Sequence, residues 1–139
     1  MPLNPYLNFK GNTREVVTFY AHVFGLEVPY MMTFGEMPAS PDAPLPPGTE
    51  NLVIHTHLNI AGSTLMFSDV FPGMPYRQGN NISLCLVIKD IEAVKDAFHK
   101  LKEGGTVVME LQETPWSKCY GQVTDKFGID WQFSYDGES

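Results

Sequence analysis

The chain has 139 residues, the size of one ordinary domain, with 43% hydrophobic and 18% charged residues, a balance that excludes a disordered segment. Sixteen Asp+Glu against nine Lys+Arg leave a net charge of -7, which speaks against the clustered cationic surface that nucleic acid or an anionic membrane requires. No apolar run approaches the roughly 18 residues of a membrane-spanning helix, and the opening MPLNPYLNF has neither the basic nor the apolar region of a signal peptide.

Residues 3–10 alternate, with Leu3, Pro5, Leu7 and Phe9 set against Asn4, Tyr6 and Asn8, and this period predicts a strand. A helix is predicted next, with Asn12 at its N-cap and Glu15 completing a capping box. Its apolar stripe is Val16, Val17, Phe19, Tyr20, Val23 and Phe24, and Gly25 ends it. Three strands are expected at about 27–34, 52–60 and 63–69, with the extended, turn-rich loop MPASPDAPLPPG between the first two. The order then repeats. A strand at 82–88 precedes a helix capped by Asp90, with the stripe Ile91, Val94, Ala97, Phe98 and Leu101 and a stop at Gly104-Gly105. Strands follow at about 106–111, 118–124 and 129–135, and Asp125–Gly128 reads as a hairpin turn with Gly128 at positive φ.

The two caps, Asn12 and Asp90, lie 78 positions apart, whereas Gly62–Ser68 mirrors Gly128–Ser134 at an offset of 66. The difference of 12 is absorbed by the proline-rich loop. The chain therefore reads as an α+β protein built from one βαβββ unit used twice, module one at about 1–76 and module two at about 77–139. In the strands, Leu52, Ile54, Leu58 and Ile60 share a face opposite His55, His57 and Asn59. Leu65 and Phe67 oppose Thr64, Met66 and Ser68, and Ile129, Trp131, Phe133 and Tyr135 oppose Asp130, Gln132 and Ser134. One face suits packing under a helix. The other is mixed and polar without the charge of a free surface, as expected of a sheet face that lines a cavity.

Several fragments resemble one family. Tyr6-Leu-Asn-Phe-Lys-Gly-Asn12, Phe19-Tyr20 and Val23-Phe24-Gly25 are similar to the opening of the glyoxalase/bleomycin-resistance/dioxygenase (vicinal oxygen chelate) superfamily. Gly35-Glu-Met-Pro38, Pro72-Gly-Met-Pro-Tyr76, Gly79–Ser83, Gln112–Trp116 and Val123–Gly128 resemble its PhnB-like subfamily. The resemblance implies paired βαβββ modules that form a curved, mixed eight-stranded sheet around one central small-molecule cavity, and a homodimer. A methyltransferase label has often travelled with that subfamily, but the chain has no glycine-rich strand-to-helix turn of the kind nucleoside cofactors use.

In metal-dependent members, four inward positions supply His and Glu. Carried over by motif, they fall near Asn4 or Tyr6, at Met66, at Asn81 and at Gln132. None is His or Glu, so no metal and no cofactor is expected there. An amide set suits hydrogen bonding of a polar ligand. The candidate binding residues are accordingly Tyr6, Asn8, His57, Met66, Asn81 and Gln132 on the polar faces, with Trp116 and Tyr120 from neighbouring loops to grip a flat ligand. His55 and His57, two apart on one strand face, are also spaced to share a metal or to sit at a rim. Glu36 is the candidate general base, with turn capping as its other reading. Asp69 reads as a turn residue, His22 and His99 as solvated helix residues.

Two cysteines, Cys85 and Cys119, sit in no CxxC and point to a reduced, cytoplasmic setting. The function expected is binding of a small neutral or cationic, aromatic-bearing molecule without the usual divalent metal. The alternatives are an enzyme of the same superfamily and a dimer with a vestigial cavity.

Overall fold

Among the described residues, period-2 alternation and two amphipathic stripes become eight strands and two α-helices. The computed structural model describes residues 2–37 and 45–137, so most of the proline-rich loop lies outside the described residues. Two units, Met1–Arg77 and Gln78–Ser139, form the chain.

The first unit holds β1 (Tyr6–Phe9), α1 (Thr13–Val23), β2 (Met32–Thr33), β3 (Val53–Ile60) and β4 (Ser63–Asp69), with a 3-10 turn at Phe34–Glu36. Its sheet runs β1-β4-β3-β2. β1 lies parallel to β4, and the other neighbours are antiparallel. The second unit holds β5 (Leu84–Ile88), α2 (Ile91–Leu101), β6 (Thr106–Thr114), β7 (Ser117–Thr124) and β8 (Asp130–Tyr135). Its sheet runs β5-β8-β7-β6, again with the outer pair β5·β8 parallel and the rest antiparallel. Both units are thus βαβββ modules of one topology, and the eight strands form two mixed four-stranded sheets. The chain is α+β, as the alternation implied.

Register decides which side chains meet α1. Leu7 and Thr56 both pair with Phe67, and Leu58 pairs with Leu65, so these residues share one face. That face receives Val16, Val17 and Tyr20, which are fully buried, and the Tyr20 ring lies 5.9 Å from that of Phe67. In module two, Leu86 and Gly121 both pair with Phe133, while Leu84 and Val123 pair with Trp131. Phe98 of α2 meets Phe133 edge to face at 5.4 Å. A methyl group at Gly121 would stand 2.9 Å from Phe98 Cε2 and 2.9 Å from Leu111 Cδ2. Glycine is what lets α2 approach this strand.

The two helix starts differ from each other. Asp90 caps α2 as expected, its Oδ1 accepting from Glu92 N at 3.0 Å and Ala93 N at 3.4 Å. Asn12 makes no side-chain cap bond. Asp69, at the end of β4, takes that place. Its Oδ1 accepts from Gly11 N, Thr13 N and Thr13 Oγ1 at 3.0, 3.0 and 2.7 Å, and its Oδ2 from Val53 N at 2.9 Å. The expected capping box at Asn12–Glu15 is therefore corrected, and Asp69 is a buried anchor that joins three elements. A capping box does form at Thr33–Glu36, on the 3-10 turn.

Four strands depart from expectation, β6 by running on to Thr114. β1 and β5 start later than predicted, leaving Leu3 and Ile82 98% and 78% exposed. The strand expected at 27–34 shrinks to Met32–Thr33. Pro29, which has no backbone N–H to give a ladder, interrupts the segment, and the Thr56 hydroxyl donates to the Tyr30 carbonyl at 2.8 Å. Gly128 takes φ 84° in the predicted turn. Asp125 braces that turn, accepting from Phe127 N, Ile129 N and Trp131 Nε1 at 2.9, 3.0 and 2.9 Å. Among the described residues, no helix is long and apolar enough to cross a membrane.

Candidate functional site

The face of each sheet turned away from its helix carries the chemistry. In module one, Tyr6 pairs in register with Met66 on β4, which pairs with His57 on β3, so the three share a face. Asn8 follows on the same face and accepts from Ser68 Oγ at 3.1 Å. The Tyr6 hydroxyl lies 3.0 Å from His55 Nδ1. The His55 and His57 rings are 6.3 Å apart between centroids. Tyr6, Asn8, His57 and Met66 are thus brought together, and His55 and Ser68 join them.

Module two assembles an uncharged chain of hydrogen bonds across its strands. Gln122 Nε2 donates to the Tyr120 hydroxyl at 3.0 Å. That hydroxyl donates to Gln132 Oε1 at 2.5 Å, and Gln132 Nε2 donates to Ser83 Oγ at 2.8 Å. Trp116, in the tight turn between β6 and β7, is 65% exposed and meets the Tyr120 ring edge to face at 5.3 Å. Tyr120 itself sits within β7 and is buried, not in a loop as expected. Asn81 lies exposed ahead of β5 and outside this chain of bonds, where Ser83 takes the place beside Gln132. Gln122 was missed by sequence reasoning. Its parity with Tyr120 was the available signal, but which side chains reach one another depends on strand register.

Two thiols and one carboxylate complete the inventory. Cys85 pairs in register with Gln132 on the polar face and is exposed, with partial desolvation beside the strand pushing its thiol pKa up. Cys119 is buried on the opposite face, where burial raises its pKa and Lys95 partly offsets the rise. A raised thiol is a weak nucleophile at neutral pH. Glu36 is exposed and fully engaged: Thr33 N and Thr33 Oγ1 donate to its Oε2 at 2.7 and 3.2 Å, and the Tyr30 hydroxyl donates to its Oε1. This is the work of a turn-capping acid.

The divalent metal that the superfamily employs does not fit the four carried-over positions. They present a phenol or an amide, a thioether and two further amides, where His and Glu would be needed. Among the described residues, no three His, Cys, Asp or Glu side chains are grouped to hold an ion.

Comparison with known proteins places this architecture. The Escherichia coli (strain K12) protein YjdN is 37% identical over 141 aligned residues, covering 96% of this chain and 95% of that protein. The crystal structure of PA1353 from Pseudomonas aeruginosa superposes with a TM-score of 0.85 at 30% identity, covering 99% of each chain. The PhnB protein from Bacillus cereus superposes with a TM-score of 0.72 at 26% identity, covering 98% of this chain and 100% of that one. The model of the Glyoxalase/Bleomycin resistance protein/Dioxygenase superfamily matches residues 3–133. With two βαβββ modules and these relatives, the chain belongs to the glyoxalase/bleomycin-resistance/dioxygenase superfamily, on its PhnB-like side.

Proposed function

We propose that the protein binds a small, neutral or cationic organic molecule with an aromatic portion, and that the polar face of module two receives it. The observation that carries this reading is the bond chain Gln122–Tyr120–Gln132–Ser83 beside the exposed Trp116 ring. Its direction is fixed, because the Tyr120 hydroxyl and one N–H of each amide are spent within it. The Ser83 hydroxyl hydrogen is left to donate at one end and Gln122 Oε1 to accept at the other. A carbonyl next to an N–H or O–H, as in an amide or a phenolic ketone, complements that pair. No cation stands in the bond chain, and the net charge is -7, so an anionic ligand is disfavoured. Tyr6, Asn8, His57 and Met66 of module one and the loop residue Asn81 extend the candidate set. Family membership adds a homodimer to the proposal, and the two free thiols a cytoplasmic setting.

A thermal-shift screen of flat carbonyl-bearing aromatics tests the reading. The expected outcome is a hit whose affinity falls by tenfold or more, about 1.4 kcal/mol, in Gln132→Leu and in Trp116→Ala. A screen without hits, or hits that bind both variants as tightly as the parent, overturns it. The enzymatic alternative rests on Glu36, whose carboxylate would first have to leave Thr33 and Tyr30. Turnover of such a hit that disappears in Glu36→Gln at unchanged affinity would favour that alternative.

A further inference from the structure

The helix-free face of module one carries soft donors that stand outside the Gln122–Tyr120–Gln132–Ser83 bond chain. His57 pairs in register with Met66 on β4, and His55 pairs with Met32 on β2 beside a register irregularity between Met32 and Thr33, which leaves Met32 at the rim. Register partners project from the same face, with Cβ atoms about 5 Å apart. Two imidazoles and two thioethers therefore stand on three adjacent strands. His57 and Met32 are exposed, and His55 and Met66 are half-buried.

We propose that His55, His57 and Met66, with Met32 at the rim, form a binding site for one monovalent soft cation, Cu(I). Thioether sulfur selects Cu(I), and imidazole is also a copper ligand. An imidazole nitrogen sits about 2 Å from a bound first-row metal, and the 6.3 Å between the two ring centroids leaves room for one ion between the rings. Hard or borderline divalent ions gain little from methionine, so the donor set discriminates by softness. Among the donors only Met66 coincides with a carried-over metal position, and the histidines come from β3, outside that set.

Tyr6 is the positioning residue. Its hydroxyl lies 3.0 Å from His55 Nδ1, which leaves Nε2 to face the ion. With metal on Nε2, Nδ1 carries the proton and donates to the Tyr6 oxygen, the outer-shell bond that metal-binding histidines use to fix tautomer and ring orientation. A phenol accepts or donates by rotating its O–H, so the bond survives the change of tautomer.

The test is competition for Cu(I) against bicinchoninate under anaerobic reducing conditions. The full chain carries Cys85→Ser and Cys119→Ala so that no thiol contributes. One equivalent is expected to be withdrawn from the chelator, with Ag(I) displacing it and Zn(II) not. His57→Gln and Met66→Leu should each weaken binding about tenfold or more, and Tyr6→Phe by about 10- to 100-fold, at unchanged circular dichroism. Because Tyr6→Phe keeps the ring, a packing role alone would leave affinity intact. No withdrawal of Cu(I), binding that persists in the His57 and Met66 variants, or Zn(II) bound as tightly overturns the proposal. The donors lie on a different module from the Gln122–Tyr120–Gln132–Ser83 bond chain and Trp116, whose variants test the organic reading, so either reading can fail without the other.

Discussion

Module one fastens the start of its helix from a distance, whereas module two does so from the next residue. Asp69 reaches α1 from the end of β4 and ties Gly11, Thr13 and Val53 together. Asp90 simply precedes α2 and satisfies two amides of its first turn. One topology thus tolerates two solutions to the unpaired amides of a helix N-terminus. The remote solution also welds the ends of three elements, and the local one leaves the helix start independent of the sheet.

The sharpest way to break that contrast is mutation of the two acids. Asp69→Ala strips a buried cluster of four donors and is expected to cost about 3–4 kcal/mol, whereas Asp90→Ala removes an exposed cap worth about 1 kcal/mol. Equal losses in urea denaturation would erase the distinction. Helix seating gives a second contrast, because β7 carries a glycine under α2 while β3 has none. Gly121→Ala is expected to lose about 1–3 kcal/mol through overpacking against Phe98 and Leu111. The hairpins differ as well. Module one turns at Ala61-Gly62, with φ of 50° and 85°, where alanine is strained. Ala61→Asn should stabilise by about 0.5–1 kcal/mol, measured as a raised melting temperature. Module two braces its turn with Asp125 and offers no such gain.

The smallest effect separates the two thiols by pH. Partial desolvation raises the pKa of Cys85, so its iodoacetamide alkylation rate should turn upward only above the usual thiol range. The folded state holds that proton more tightly than the unfolded one. The resulting stabilisation is present below the ordinary thiol pKa and fades as pH climbs through the raised value. Cys119, buried beneath α2, should stay unmodified until the protein unfolds.

The strand faces were legible because alternation survives folding: His55, His57 and Met66 could be set against Leu58, Leu65 and Phe67 from the sequence alone. The role of Asp69 was hidden because its partners lie 16 to 58 positions away, beyond any local pattern. Asn12 looked like a cap because asparagine competes well for that role, and a buried carboxylate outcompeted it. Tyr120 and Gln132 were both recognisable as candidates. Their bond, and the inclusion of Gln122 and Ser83, required the register of β5, β8 and β7. Asn81 missed that group because it lies three residues ahead of Leu84, whereas Ser83 directly precedes β5 and reaches Gln132.

In each sheet the opening strand has one neighbour, and that neighbour is the module's last strand. Tyr6 finds Met66 after 60 intervening steps of chain, a closure that costs about 3–4 kcal/mol in chain entropy. Until β4 is in place, β1 has no hydrogen-bonding partner within its sheet. A fragment lacking the last strand is therefore missing both the first strand's partner and, in module one, the carboxylate that starts the helix. The indivisible quantity in this protein is consequently the whole βαβββ length, because neither sheet pairs its first strand until its last is present.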